Sequence, residues 1–382
     1  MTTELITNIG ELTTNVGPRV TDAAVVVDGD SGLVAWVGSA ADAPAADTRT
    51  DARGRAVLPG WVDSHLHPVF AGDRGAEFEA RMRGEKYRAG GIASTMAATR
   101  SASTAELEHN LRSLLDEATT QGSTAFEAKT GYGLDVATEA RSAEIAARHV
   151  EAVTFLGAHL VPPGSDARDY LDLVTGPMLA AVLPWVSAID VFCEVGAFDV
   201  EQSREVLEAG RAAGLALRVH GNQLGESGGV ALALDLDALS VDHCNHLSPA
   251  DIEGLGGSGT VATLLPACDL STHEPFPPAR ALLDAGATIA LATNCNPGTS
   301  YTTSMPFCVA TAVLQMGLTV EEAVRAATVG GAAALGVDGV TGTIDIGMRA
   351  DLQMLGASGV AHLAYRPGVP LVQRVWRRGV AT

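Results

Sequence analysis

Lysine is nearly missing from this chain. Of 25 basic residues only Lys86 and Lys129 are lysines, set against 45 acidic residues for a formal charge of -20. A surface this acidic repels phosphate backbones and anionic headgroups, which argues against nucleic acid and membrane surfaces as partners. No apolar run approaches the ~18 residues needed to cross a bilayer, and residues 1–20 lack the basic start and apolar core of a secretory leader. The expectation is a soluble cytoplasmic protein. Cysteine is scarce too: the five, Cys193, Cys244, Cys268, Cys295 and Cys308, are odd in number and contain no C-x-x-C pair. That pattern excludes a disulfide framework and a zinc knuckle, so these are read as reduced thiols packing as small apolar side chains.

What is present suits a large α/β protein. At 382 residues, 47% hydrophobic but only 4% aromatic, with 42 glycines, the chain has material for a sizeable core of closely packed helices and sheet. Residues 22–39, DAAVVVDGDSGLVAWVGS, read as two strands joined by a turn. Near the other end, 342–355 and 371–379 read as short strands as well. The two ends, 1–57 and 340–382, are expected to form one small β-sandwich domain.

Between them, apolar strand-like runs recur at 61–67, 124–130, 153–159, 188–194, 215–221, 238–243, 260–266 and 288–294. Amphipathic segments at 105–119, 136–149, 200–213 and 278–285 separate some of them. Eight strands alternating with helices predict a (β/α)8 TIM-like barrel over 58–339.

In such a barrel the chemistry gathers at the carboxyl ends of the strands. There the sequence places histidines: His65 and His67 on the first strand, His159 after the third, His220 on the fifth and His243 on the sixth. Period-two alternation puts His65 and His67 on the same inward face, where a pair can grip one ion. A single buried histidine is ordinarily a core residue; the joint arrangement points to a metal. Ligation by His65, His67 and His220 leaves a position for water, whose pKa a divalent ion lowers from 15.7 to about 7. The fourth strand ends in Glu194 rather than lysine, which favours one ion over two. His109, His149 and His362 are read as surface residues, whereas His246 and His273 lie nearer the strand ends.

The ordered set PGWVDSHLHPVFAGDR (59–74), KTGYGL (129–134), GAH (157–159), VHGNQL (219–224), DHC (242–244) and NPGT (296–299) resembles the imidazolonepropionase family of the amidohydrolase superfamily, over nearly the whole chain. The resemblance implies one zinc or iron ion and hydrolysis of a cyclic amide, 4-imidazolone-5-propanoate, to N-formimidoyl-L-glutamate in histidine degradation. It implies metal ligation by His65, His67, His220 and the residue at 294. Substrate contacts would come from Arg74, Tyr132, His159, Gln223, Asn296, Gly298 and Thr299, with Tyr87 as a lesser hydroxyl contact. His243, Asn294 and Gln223 are the implied catalytic set. Arg74 suits a propanoate tail because its planar fork of donors matches a carboxylate. The expected partner is a small molecule, and the expected assembly a homodimer.

Two positions depart from the family pattern. Gln223 stands where many members have glutamate and others glutamine. Asn294 stands where aspartate is expected both to bind the ion and to take a proton from the attacking water. An amide oxygen can coordinate but is a very weak base. Two other readings therefore stand beside the first: a hydrolase or deaminase of another carboxylate-bearing heterocycle, and an impaired homologue that only binds.

Overall fold

The eight apolar runs become eight strands in the computed structural model: Trp61–Asp63, Ser123–Lys129, Ala152–Ala158, Ala188–Cys193, Ala216–Gly221, Ser240–His243, Val261–Leu264 and Ile289–Leu291. They are hydrogen-bonded in chain order, with parallel register. The structure describes residues 2–84 and 91–382, so Tyr87 lies outside the described residues. The ring closes beyond the ends of the first and eighth strands. Leu66 bridges Cys295 in parallel, the amide of Asn294 donates to the carbonyl of His65 at 2.9 Å, and that of His67 to Cys295 at 2.9 Å. Closure therefore brings Asn294 beside the His65–His67 pair.

The helices behind the sheet begin where their sequences supply a cap. Val200–Ala212 starts at Asp199, whose carboxylate accepts from the amide of Gln202 while the Gln202 side chain accepts from the Asp199 amide; it buries Ser203, Val206, Leu207 and Gly210. That spacing of three, four and seven is one helical face, and a cap of this kind is worth about 1 kcal/mol. Pro249–Gly256 starts on the same reciprocal pattern between Ser248 and Asp251. Among the described residues, no helix is long and apolar enough to cross a membrane.

The chain ends supply two further sheets. One orders Leu33–Ser39, Ala23–Asp28, Thr3–Ile9 and Thr48–Asp51; the other orders Val380–Ala381, Val372–Arg377, Leu352–Leu355, Ala56–Pro59 and Glu11–Leu12. Their apolar faces share one core containing Ile6, Val25, Val27, Leu352, Met354 and Trp376. Residues 342–349 are not the strand expected of them. Gly342 and Gly347 take φ of 91° and 85°, and the amide of Ile346 donates to the Asp345 side chain at 2.8 Å, so the segment turns instead of extending.

The chain divides into two compact units: Met1–Ser64, Asp116–Ala125 and Ser304–Thr382 in one, His65–Leu115 and Phe126–Thr303 in the other. Every residue of the candidate site belongs to the second.

Candidate active site

Three imidazoles meet at the floor of the site. Nε2 of His67 lies 3.2 Å from Nε2 of His65 and 3.3 Å from Nε2 of His220, and all three side chains are buried. The proton count shows what this cluster fits. Asp242 is held ionised: burial raises its pKa, but Lys129 and His220 beside it outweigh that and bring it below the usual value. An ionised carboxylate only accepts, so Nδ1 of His65, 2.7 Å from Asp242 Oδ2, carries the proton and its Nε2 keeps a lone pair. Nδ1 of His220 lies 2.9 Å from Asp190 Oδ2, and that carboxylate likewise favours the proton on Nδ1. Nδ1 of His67 is buried without a hydrogen-bond partner. Whatever its tautomer, His67 can donate to only one of the two facing lone pairs. A cation at the convergence satisfies all three, and neutral imidazole nitrogens suit zinc or iron.

A buried charge network supports the cluster. Nζ of Lys129 sits 2.8 Å from Asp190, 3.1 Å from Glu127 and 3.3 Å from Asp242, and Arg218 pairs with Glu127 at 3.2 Å. Burial alone would lower the Lys129 pKa; Asp190, Glu127 and Asp242 reverse that and raise it. Burial likewise works to raise Asp190, and His220 and Lys129 hold it well below the carboxylate range. One ammonium thus locks the two carboxylates that orient His65 and His220. Sequence reasoning missed this layer, although the period-two alternation that pairs His65 with His67 also pairs Glu127 with Lys129 and Arg218 with His220.

Of the expected site residues among the described residues, all but His65 and Gly298 line one pocket. His243 stands beside the cluster, its ring 5.4 Å from that of His220 and 5.8 Å from that of His65. Burial, followed by the neighbouring His220, lowers its pKa to about 3, so it is a neutral imidazole. His243 and Asn294 turn sharply away from their strands with φ of 83° and 52°. Asparagine tolerates that region better than most residues, and strained backbone of this kind gathers at functional sites. His159 stacks on His67, with centroids 5.6 Å apart and planes 25° apart, and its Nδ1 lies 2.9 Å from the carbonyl of Gly131. Burial brings its pKa down to about 4. Tyr132 packs against both rings. The backbone of Gln223 is held by Glu194, whose Oε2 accepts from the amides of Gln223 and Leu224, each at 2.9 Å.

The opposite wall carries Arg74. Its guanidinium is buried and already meets a carboxylate, that of Glu77, at 2.9 and 2.6 Å. The turn at 296–299 lies against it. Asn296 uses its whole amide on that turn: Oδ1 accepts from the amides of Gly298 and Thr299 at 2.8 Å each, and Nδ2 donates to the Asn294 carbonyl at 2.6 Å, Asn294 Oδ1 at 3.1 Å and Thr299 Oγ1 at 2.9 Å. In this arrangement Asn296 shapes the wall. Elsewhere, His149 pairs with Glu108 at 2.8 Å and His246 with Glu274 at 3.4 Å, away from the imidazole cluster. All five cysteines are buried and none forms a disulfide.

Barrel, imidazole cluster and orienting carboxylates together define a metal-dependent amidohydrolase. The model of the Amidohydrolase family matches residues 200–380. An imidazolonepropionase of Saccharopolyspora erythraea is 63% identical, the alignment covering 100% of this chain and 99% of the relative. One from Paenarthrobacter aurescens is 62% identical, over 98% and 97%. The chain belongs to the imidazolonepropionase family. Among solved structures, an adenosine deaminase from Xanthomonas campestris with bound zinc matches with a TM-score of 0.75 at 19% identity, covering 99% of this chain and 92% of that one. An atrazine chlorohydrolase from Arthrobacter aurescens TC1 complexed with zinc matches with a TM-score of 0.74 at 17% identity, covering 99% and 94%. At those identities the likeness is one of fold.

Proposed function

We propose that the protein hydrolyses the ring amide of 4-imidazolone-5-propanoate to N-formimidoyl-L-glutamate, with one zinc or iron ion held by His65, His67 and His220. The observation that carries this reading is the pairing of two ends in one pocket: three converging Nε2 atoms on the floor and an arginine fork on the wall.

When bound, the ion supplies Lewis acidity that brings the pKa of water towards neutrality. The chain does the rest. Asp242 and Asp190 fix the tautomers of His65 and His220 so that both lone pairs face inward. Arg74 takes the propanoate tail beside the turn at 296–299, which sets the ring carbonyl above the imidazole cluster. Tyr132 and His159 wall the ring, and the Gln223 amide offers it one donor and one acceptor. The oxygen of water adds to the carbonyl carbon, the carbon–nitrogen bond breaks, and the leaving nitrogen takes a proton.

That proton has to be carried. The amide of Asn294 is uncharged and does not accept it, so we assign the transfer to His243, a neutral imidazole at the rim of the cluster. General-base help is worth about 10² to 10⁴-fold, or roughly 3 to 5 kcal/mol, so an amide at 294 leaves substrate binding intact and slows turnover. The test is loss of the imidazolone ultraviolet absorbance with matching appearance of N-formimidoyl-L-glutamate, run beside a panel of other carboxylate-bearing rings. Faster turnover of another ring would reassign the substrate; metal-loaded protein inert towards all of them would leave a binding protein.

A further inference from the structure

The helix Gly75–Met82 starts directly after Arg74 and brings two more charged side chains to the carboxylate end of the pocket. Glu77, one turn along, closes both oxygens on Arg74: Nε donates to Oε2 at 2.9 Å and Nη2 to Oε1 at 2.6 Å. The Arg74 side chain is 5% exposed and that of Glu77 32%, so the pair lies at the pocket rim with Glu77 outermost. Arg81, a further turn along, donates from Nη1 to the carbonyl of Gly298 at 3.1 Å and from Nη2 to Ser271 Oγ at 2.9 Å. Gly298 also touches Arg74, since a Cβ there would stand 2.4 Å from Nη1. The guanidinium is thus held by a carboxylate on one edge and by a glycine backbone packed against its face.

We infer that Glu77 is the positioning residue of the carboxylate-binding end: it fixes the plane of the Arg74 guanidinium so that the fork meets the substrate's tail. The inference rests on the reading of Arg74 given above. A long arginine side chain gives up rotamer freedom when it binds a ligand, and a partner that imposes the bound geometry beforehand removes that cost from the binding step. Two parallel hydrogen bonds to the Nε–Nη2 edge define the plane in a way one contact does not. Glu77 is 32% exposed, so water solvates the guanidinium edge that Glu77→Ala uncovers, and folding is read separately in each variant. Glu77 also repels an incoming carboxylate, but on its exposed side that repulsion is screened, whereas the orienting bonds act at contact distance. Orientation outweighs repulsion.

The experiment measures binding of imidazole-4-propanoate, a ring with the same tail, and of its neutral amide, by calorimetry on the unsubstituted protein, Glu77→Ala and Glu77→Gln. Circular dichroism confirms folding, and KM and kcat are recorded alongside. The unsubstituted protein prefers the carboxylate. Glu77→Ala loses about tenfold of that preference, equivalent to about 1.4 kcal/mol, through weaker propanoate binding; the amide's Kd and kcat stay unchanged. Glu77→Gln, which keeps an acceptor for the fork, recovers part of the loss. A preference undiminished or increased in Glu77→Ala overturns the inference and makes Glu77 a competitor. Equal binding of carboxylate and amide by the unsubstituted protein would instead remove the reading of Arg74, and this inference with it.

Discussion

Asp242 Oδ2 lies 2.7 Å from Nδ1 of His65, with both side chains buried. The contact fixes which nitrogen of that imidazole can face an ion, so under the proposed ligation the carboxylate would act on the ion through the histidine. Asp242→Asn gives the histidine a partner that can present either an acceptor or a donor, and the tautomer is no longer imposed. Metal affinity should fall about 10- to 100-fold, read by competition with a chromogenic chelator. Unchanged affinity would show that His65 needs no such support.

Lys129 contacts three carboxylates at once. Lys129→Met leaves Glu127, Asp190 and Asp242 buried with Arg218 as the remaining cation beside them, and removing one side of a buried ion pair costs about 3 to 5 kcal/mol. The expected result is a loss of that order in urea unfolding of the metal-free protein, where the ion cannot mask it. A loss below about 1 kcal/mol would mean that water enters the layer and solvates the carboxylates.

Asp269 offers a pH test on a buried carboxyl group close to His243. Burial raises its pKa from 3.8 to about 8; Asn245 donates to its Oδ1 at 2.7 Å, and Oδ2 has no hydrogen-bond partner. A carboxyl group raised in the folded state binds more protons folded than unfolded between those values. Its stabilising contribution is therefore complete below about pH 4 and lost as the pH rises towards 8. Asp269→Asn removes this dependence. Between pH 5 and pH 8 the unsubstituted protein should lose more stability to urea than the variant, whereas parallel declines would place the titration elsewhere.

Asn294→Asp restores a carboxylate beside His65. Under saturating zinc or iron it should raise kcat by up to about 10² to 10⁴-fold with little change in KM, and tighten metal binding. Equal rates would show that His243 already does the whole of the proton transfer.

The strands were legible because most barrel strands are apolar runs ending in a histidine, an amide or an acidic residue, although the second ends in Lys129 and the seventh in Leu264, and the site stands at those ends. His65 with His67 could be seen because one strand carries both. The charge layer beneath was harder to read. Asp190 in AIDVFC looks like a single polar residue in an apolar strand and Asp242 in SVDH like a mere neighbour of His243, and only the closed ring brings them to Lys129. Glu77 and Arg81 sit in GAEFEARM, which reads as an ordinary solvated helix, and nothing local says that one helical face meets a loop more than 200 residues away in the chain. Thr3–Ile9 escaped for a different reason: threonine and asparagine break its apolar alternation, and Thr48–Asp51, its parallel neighbour, is short and polar. At 342–349 two glycines at positive φ and a turn in which the Met348 amide donates to the Asp345 carbonyl at 3.0 Å outweighed the apolar residues that suggested a strand.

The most direct test of the account is a zinc-edge anomalous difference map from crystals of the zinc-loaded protein. The account predicts one peak per chain, about 2.0 to 2.1 Å from Nε2 of His65, His67 and His220 together. A peak held by other residues, or three imidazoles hydrogen-bonded to water in protein that still turns over substrate, would contradict it.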